Sequence, residues 1–376
     1  MASQAAFDLM NYQHLTVGKM ILKEMIWVQK GYDNVGSYFP KDQLRTYIEK
    51  ILETMEKNPK LVRKLHKKNI QYCEEYFVYA RRILGIDLKK RNDQQLTGIY
   101  NKLNYYQRIH HGYSISTTWF VDSDGEDFSR LLMKKAGEFL GNDKPKLSQA
   151  EVFSILTTPV KPSLAMLEEI ESLKILDDVN KDQTAKKIFL EKDVKKIEKK
   201  LDKINPDLRR KILRHYKKWL WVPYTYMGPV YELDYYLEMW SGILRQKIDF
   251  HSQLKELEGR SNKTRKQKAE IVKRLKINAK TKELFEIASE IIYLKAFRKD
   301  AIFYGMFVLE KLHREIGKRL GLSLNQVRFM ADWEVVPAIK KRYFSSEILN
   351  ERIKFSVLYY KKIRELFILV IKLSNF

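Results

Sequence analysis

Apolar residues recur every three or four positions along much of the chain, which is the spacing of one face of an α-helix. Residues 41–57 show this pattern, with a stripe formed by Leu44, Ile48, Ile51, Leu52 and Met55. The Asn58-Pro59 step ends this helix, because proline disfavours the helical conformation in the residue before it. A second helix is predicted over 60–84, with Gly85 as its C-cap.

Three further segments extend the helical pattern. Residues 93–112 predict a helix that ends at Gly112. Residues 243–276 predict a helical hairpin, since apolar residues lead into and out of a polar middle. Residues 283–320 are apolar around much of the helical circumference, which predicts a long helix in a central, buried position.

The last thirty residues have a different pattern. FSVLYY and LFILVIKL, separated by KKIRE, are rich in β-branched and aromatic residues, which predicts the two strands of a hairpin. A two-stranded hairpin is only marginally stable alone and exposes its edges, so it needs a third strand or a partner. The predicted fold class is therefore mainly α, a multi-helix bundle with a short C-terminal β-hairpin.

The 376 residues have room for two or three packed units. Three of the nine prolines fall within 142–163, which we interpret as a linker. This linker would separate an N-terminal helical subdomain, 1–141, from a central helical subdomain, 164–345. The hairpin at 346–376 would follow.

The net charge of +24, from 71 basic and 47 acidic residues, is unevenly distributed. Residues 186–218 hold 14 basic and 5 acidic residues, and residues 260–282 hold 10 basic and 1 acidic. Such segments attract polyanions such as nucleic acid, an anionic membrane or phosphorylated ligands. The alternative is that they are the solvated faces of long helices.

Cysteine usage and the N-terminus indicate the compartment. Cys73 is the only cysteine, so neither an internal disulfide nor a multi-thiolate metal site can form. The N-terminus lacks the pattern of a signal peptide. The longest apolar stretches are far shorter than the roughly 20 residues that cross a bilayer. We therefore predict a cytoplasmic protein with no membrane association.

Motifs for common chemistry are missing from the sequence. It contains no G-x-x-x-x-G-K-[ST], no G-x-G-x-x-G and no H-E-x-x-H. Residues 122–125, DSDG, resemble the start of a calcium loop, but the glycine comes too early, and a capped turn before a helix at Phe128 fits better. His110 and His111 could bind a metal or stack on a base, or they could form a helix-end pair beside Gly112. Cys73 lies on the apolar side of its helix and is predicted to be a buried, inert thiol.

Two segments concentrate prolines, aromatics and basic residues. They are residues 157–163, TTPVKPS, and residues 215–229, HYKKWLWVPYTYMGP. Each could be a phosphate or nucleotide platform, or a helix end that turns into a tightly packed loop.

These two segments also belong to runs that resemble a known family. The runs are LTTPVKPSLAMLEEIESL, HYKKWLWVPYTYMGPVYELDYYLE and LKAFRKDAIFYGMFVLEKLHREIGKRLGLSL. They resemble the helical region of phosphoenolpyruvate synthase-like proteins, which belong to the phosphoenolpyruvate-utilising phosphotransferases. SYFPKDQLRTYIEKILETMEKNPKL is similar too, so the resemblance spans about residues 38–360.

The resemblance implies a place in a phosphoryl-transfer system. Such families move a phosphoryl group from ATP, bound in an ATP-grasp domain, to a histidine on a swivelling domain. The group then moves to or from pyruvate at a magnesium-dependent barrel. Residues 351–360, ERIKFSVLYY, match the stretch that leads into the swivelling domain, so the hairpin could be the start of a truncated mobile domain. The family's T-x-H loop is missing, so no catalytic residue is carried over, and ATP and magnesium are implied only for the full system.

The function predicted from this resemblance is a non-catalytic helical scaffold or connector of a phosphoenolpyruvate synthase-like phosphotransferase system. Its implied partner is a chain with a swivelling phosphohistidine domain or an ATP-grasp domain. One alternative is a basic helical nucleic-acid-binding module. Another is a complete enzyme with a site built from His215, Arg298 and Asp300. No metal ligand is predicted, and the candidate ligand-contact residues are Lys161, His215, Lys218, Tyr224, Arg298 and Lys299.

Overall fold

The computed structural model describes residues 11–31, 34–118, 121–122, 127–140, 147–191, 193–246, 248–363 and 366–372. The chain divides into two units. A larger unit comprises residues 1–157 and 275–376, and an inserted unit comprises residues 158–274. Helices dominate both, so the predicted mainly α class is confirmed.

The larger unit contains ten helices among its described residues, a 3-10 turn at Leu88–Lys90 and four strands. The helices are α1 (His14–Val17), α2 (Lys41–Lys57), α3 (Pro59–Leu84), α4 (Asp93–Thr118), α5 (Asp127–Glu138), α6 (Gln149–Thr157), α13 (Ala279–Leu320), α14 (Leu324–Arg328), α15 (Asp332–Lys341) and α16 (Ser346–Lys354). The strands are β1 (Glu24–Lys30), β2 (Asn34–Tyr38), β3 (Phe355–Ile363) and β4 (Leu366–Lys372).

Helix α13 is the predicted long central helix. It starts at an Asn278 cap, whose side chain accepts a hydrogen bond from the Thr281 backbone at 2.9 Å, and it ends at Gly321 in the left-handed conformation. Its 42 residues bury side chains on most of its circumference, and helices α3 and α4 pack along it. The polar cap explains why it starts four residues before the apolar pattern does.

This packing changes the predicted division of the chain. The sequence predicts a central subdomain over 164–345, whereas the structure groups residues 275–345 with the N-terminal helices, because α13 fills the core between them. The predicted linker, 142–163, contains helix α6, which packs against α5 and α13. Residues 142–146 of that region lie outside the described residues.

The four strands form one antiparallel sheet in the order β2-β1-β3-β4. The predicted hairpin at 346–376 is present as β3 and β4, but its first nine residues form the helix α16 instead. Strand β1 supplies the third strand that the hairpin needs. Trp27 of β1 lies opposite Ser37 on one side and Leu358 on the other. Met25 and Tyr360 are also opposite each other, and both are buried. Strand β1 therefore covers one edge of the hairpin.

The inserted unit consists of six helices among the residues that are described there. They are α7 (Leu164–Lys181), α8 (Gln183–Phe189), α9 (Val194–Ile204), α10 (Pro206–Trp219), α11 (Leu233–Leu244) and α12 (Phe250–Arg274). Their apolar faces share one core, to which Leu176, Phe189, Ile212 and Trp240 contribute.

The predicted helical hairpin at 243–276 is wrong. Residues 250–274 form the single helix α12, which contains Gly259 in its interior. A glycine costs only about 1 kcal/mol relative to alanine in a helix interior, and the surrounding Lys, Arg, Glu and Gln are good helix formers. Among all described helices, none combines the length and the apolar character needed to cross a membrane.

Replacing a helical glycine by alanine should change the free energy of unfolding in opposite directions at two positions. A Cβ at Gly305 in α13 would collide with the Tyr76 side chain of α3, whereas a Cβ at Gly259 in α12 meets nothing within 4 Å. Gly305→Ala should therefore lower the free energy of unfolding by about 1–3 kcal/mol through overpacking. Gly259→Ala should raise it by about 0.5–1 kcal/mol. Urea unfolding followed by circular dichroism measures both, and an unchanged midpoint for Gly305→Ala would contradict the close helix packing.

Candidate functional site

Helices α7 and α10 of the inserted unit each present three polar or aromatic side chains on one face. The Ser163 side chain caps α7 by accepting from the Met166 backbone at 3.2 Å, and Asn205 caps α10 through the Leu208 backbone at 3.0 Å. Residues three and four positions apart lie on the same face of a helix. The six residues are Glu168, Glu171 and Ser172 on α7 with His215, Lys218 and Trp219 on α10, and we call them the His215 cluster.

His215 is the centre of this cluster and is 3% exposed. Its Nε2 lies 3.2 Å from both the Ser172 hydroxyl and a Glu168 carboxylate oxygen. Ser172 donates to Glu168 at 2.8 Å and accepts from the Trp240 indole N–H at 3.2 Å. The edges of the Tyr236 and Trp240 rings contact the imidazole, with centroids 5.7 and 5.1 Å away. Every polar group of this inner part except one imidazole nitrogen therefore has a partner.

The serine, histidine and carboxylate do not have the geometry of a nucleophilic triad. In a triad the carboxylate orients one imidazole nitrogen while the other nitrogen takes the serine proton. Here Ser172 and Glu168 both approach Nε2, and Nδ1 is buried with no hydrogen-bond partner among the described residues. The Ser172 hydroxyl donates directly to the carboxylate. The inner part of the cluster is thus built for packing and not for activating a nucleophile.

Glu171 forms the outer part of the cluster. Its carboxylate accepts from the Lys218 ammonium and, at 2.7 Å, from the Trp219 indole N–H. Partial burial acts to raise the pKa of Glu171, but these two hydrogen bonds together with the positive charge of Lys218 hold that pKa below its ordinary value. The Lys218 ammonium also lies 4.6 Å from the centroid of the Trp219 ring. The carboxylate, the ammonium and the indole stabilise one another at the rim.

The six candidate ligand-contact residues are divided between the two units. Lys161, His215, Lys218 and Tyr224 lie in the inserted unit, and Arg298 and Lys299 lie on α13 of the larger unit. Only His215 and Lys218 belong to the His215 cluster. Tyr224 is buried in the turn after α10, and Lys161 is exposed before α7. The Lys299 ammonium lies 5.3 Å from the Phe303 ring centroid on its own helix.

Glu168, Glu171 and Ser172 complete the cluster and were not among the sequence candidates. Their spacing of three and four residues on a predicted helix is a signal that they share a face. It does not reveal the partner helix, which begins about forty residues later in the chain.

The pair His110 and His111 is buried in the larger unit. Helix α4 continues past Gly112 to Thr118, so the predicted helix end is wrong; the Tyr12 ring packs against Gly112, where a side chain would not fit. The Asn69 amide donates to the His110 carbonyl at 2.6 Å. Tyr76 stacks on the His110 ring with centroids 5.0 Å apart. A buried, packed pair of this kind has no access to a base or a phosphate.

Two further sequence predictions concern single residues. Cys73 is buried, as predicted, and burial raises the pKa of its thiol, so the reactive thiolate is disfavoured. The Asp122 carboxylate accepts from the Ser129 backbone at 2.9 Å, which agrees with a capped turn before α5. Residues 123–126 of the calcium-like motif lie outside the described residues. In the part of the chain that is described, no three His, Cys, Asp or Glu side chains are placed to hold a metal ion.

The two basic segments differ in how their charges are used. In 186–218 many cations are paired with carboxylates of the inserted unit. The pairs are Lys196–Asp193, Lys200–Glu191, Arg209–Glu198, Arg210–Asp207, Lys211–Asp178 and Lys218–Glu171. In α12, from Arg260 to Arg274, seven basic residues accompany a single acidic one. Six of the 14 cations of the first segment are thus paired, four within the segment and two with carboxylates of α7. In the second segment Lys282 lies 3.7 Å from Glu286, and the part on α12 has one carboxylate for seven cations.

Replacing Ser172 tests the structural role of the cluster. Ser172→Ala removes the partner of the Trp240 indole and one partner of His215, so we expect a loss of about 1–3 kcal/mol in the free energy of unfolding. Guanidinium unfolding followed by tryptophan fluorescence measures this loss, and three of the six tryptophans, Trp219, Trp221 and Trp240, lie in this unit. Ser261→Ala in α12 is the control and should change stability by no more than about 0.5 kcal/mol. Equal stability of both variants would show that the buried hydrogen bonds contribute nothing.

The burial of His110 should make the stability of the fold depend on pH. Burial, with a smaller effect of Arg298, lowers the pKa of His110 to about 3. Between the ordinary histidine pKa of about 6.5 and this value, the unfolded chain binds a proton that the folded chain does not. Stability should therefore fall as pH decreases from 7 to 5, and His110→Gln should make that slope shallower by about 1 kcal/mol per pH unit below pH 6. Denaturant unfolding at several pH values measures the slopes, with His251→Gln at an exposed position as the control. Parallel slopes for wild type and His110→Gln would refute a buried neutral histidine.

Comparison with known proteins finds no matching family model, no matching curated protein and no matching solved structure. The resemblance to phosphoenolpyruvate-utilising enzymes therefore stays a prediction from the sequence.

Proposed function

We propose that this chain is a helical scaffold or connector of a phosphoenolpyruvate synthase-like phosphotransferase system. In this role it positions other domains and makes or breaks no bond itself. The phosphoryl-carrying histidine, ATP and magnesium are assigned to a partner chain.

One observation carries the proposal. The three resembling runs contain two histidines, His215 and His313, and both are buried, with 3% and 5% exposure. Phosphoryl transfer requires an in-line approach of donor and acceptor, which a buried imidazole does not permit. If the chain acts in such a system, the histidine that is phosphorylated lies outside these three runs.

The packing of the runs gives further support. The first run contains the first part of α7 and the second run begins with the last residues of α10, and their polar side chains bond to each other in the His215 cluster. The third run forms most of α13, the buried centre of the larger unit. Residues that carry the resemblance therefore hold each unit together, as expected of a scaffold.

Co-expression tests the connector role. The full chain should co-purify with a chain of the same genome that carries a swivelling phosphohistidine domain or an ATP-grasp domain. Size-exclusion chromatography of the tagged complex measures this, and failure to form any such complex would remove the proposed role.

Isotope exchange tests the lack of catalysis separately. The purified chain alone should give ATP- or phosphoenolpyruvate-dependent exchange no higher than a heat-denatured control. Exchange above that control, lost again in His215→Ala, would replace the scaffold by an enzyme.

A further inference from the structure

Helix α12 presents a row of cations to solvent. Arg260, Lys263, Lys266, Lys273 and Arg274 are all exposed, and none forms an ion pair with any residue that the structure describes. We call these five residues the α12 basic face.

The acidic residues of α12 do not neutralise this face. Glu256 and Glu258 precede it, and Glu258 is paired with Lys174 of α7 at 2.8 Å. Glu270 is the single carboxylate between Arg260 and Arg274. Five cations on one helix with a single carboxylate among them leave a net positive potential that attracts a polyanion.

The opposite side of α12 limits which polyanion fits. Phe250, Leu254 and Leu257 pack into the core of the inserted unit. A helix that binds a membrane surface inserts an apolar face into the lipid, and that face of α12 is already used. The exposed large apolar side chains of the described residues include none on α12. The charge is therefore presented without a hydrophobic anchor.

The same helix also lacks a platform for single strands. Proteins that bind single-stranded nucleic acid combine basic residues with aromatic side chains on which bases stack. Phe250 is the only Phe, Tyr or Trp of α12, and it is buried. Duplex backbones need no such stacking, because phosphate contacts alone supply sequence-independent binding.

The α12 basic face is long enough to lie along many phosphates of a duplex. From Arg260 to Arg274 the helix rises about 21 Å at 1.5 Å per residue. A duplex carries one negative charge per about 1.7 Å of its axis, so roughly a dozen phosphate charges lie along that length. We propose that the α12 basic face binds the phosphate backbone of a nucleic-acid duplex without sequence specificity. This inference does not depend on the scaffold function.

The test compares two variants of the full chain that lose the same charge. The first replaces four cations of the face, as Arg260→Gln, Lys263→Gln, Lys266→Gln and Lys273→Gln. The control replaces four paired cations of the other basic segment, as Lys196→Gln, Lys200→Gln, Arg210→Gln and Lys211→Gln. Gln has nearly the helix propensity of Lys and Arg, so the helices are retained in both variants.

Binding to short duplex DNA and duplex RNA is measured by fluorescence anisotropy over a range of salt concentrations. For the face variant we expect a loss of affinity of at least about tenfold at low salt. The slope of log K against log salt should become shallower by about 3 to 4, since each phosphate contact contributes about 0.9. The control variant should bind like wild type within about threefold.

Three outcomes would overturn the proposal. They are no duplex binding by the wild-type chain, an equal loss in both variants, and binding to anionic phospholipid vesicles without binding to duplexes. Binding of only one duplex type with the expected loss in the face variant supports the proposal and identifies that duplex as the ligand.

Discussion

Helix α13 has to be covered on several sides, because buried residues lie around most of its circumference. Helices α3 and α4, of 26 residues each, lie along it and supply much of this cover. The close approach of α3 depends on Gly305, which leaves room for the Tyr76 ring. A polar contact with α13 also holds the C-terminal end of α3 in place. Lys311 donates to the carbonyls of Leu84 and Ile86 at 2.8 and 2.7 Å, where α3 ends and its last carbonyls lack helical partners.

Local patterns in the sequence identified the elements whose burial is continuous. The apolar circumference of residues 283–320 predicted α13, and the β-branched run near the C-terminus predicted β3 and β4. Strands β1 and β2 were missed, because seven and five residues with a mixed pattern give little signal without their partner strand. The polar middle of residues 243–276 was taken for the turn of a hairpin, whereas it is the solvent-exposed part of the single helix α12.

The candidate site was predicted only in part. His215 and Lys218 were named because they stand in an aromatic and basic stretch, but their partners Glu168 and Glu171 lie more than forty residues earlier. Such contacts depend on how α7 packs against α10, which neither helix pattern reveals. The number of charged residues in each of the two basic segments follows directly from the sequence. Their difference appeared only once the ion pairs of α9 and α10 were known, since pairing is a property of the fold.

The pairing of β1 with β3 has a consequence for the order of events during synthesis. The β1–β3 pair, in which Trp27 lies opposite Leu358, can form only after residue 358 has been synthesised. At a translation rate of about 5–20 residues per second, this delay is roughly 15–65 s. The inserted unit, continuous from residue 158 to residue 274, can form its own core earlier on the ribosome. Strand β1 can pair with the nearby β2 early, but its other edge stays without β3 for this long, so the slowest step in maturation is expected in the sheet.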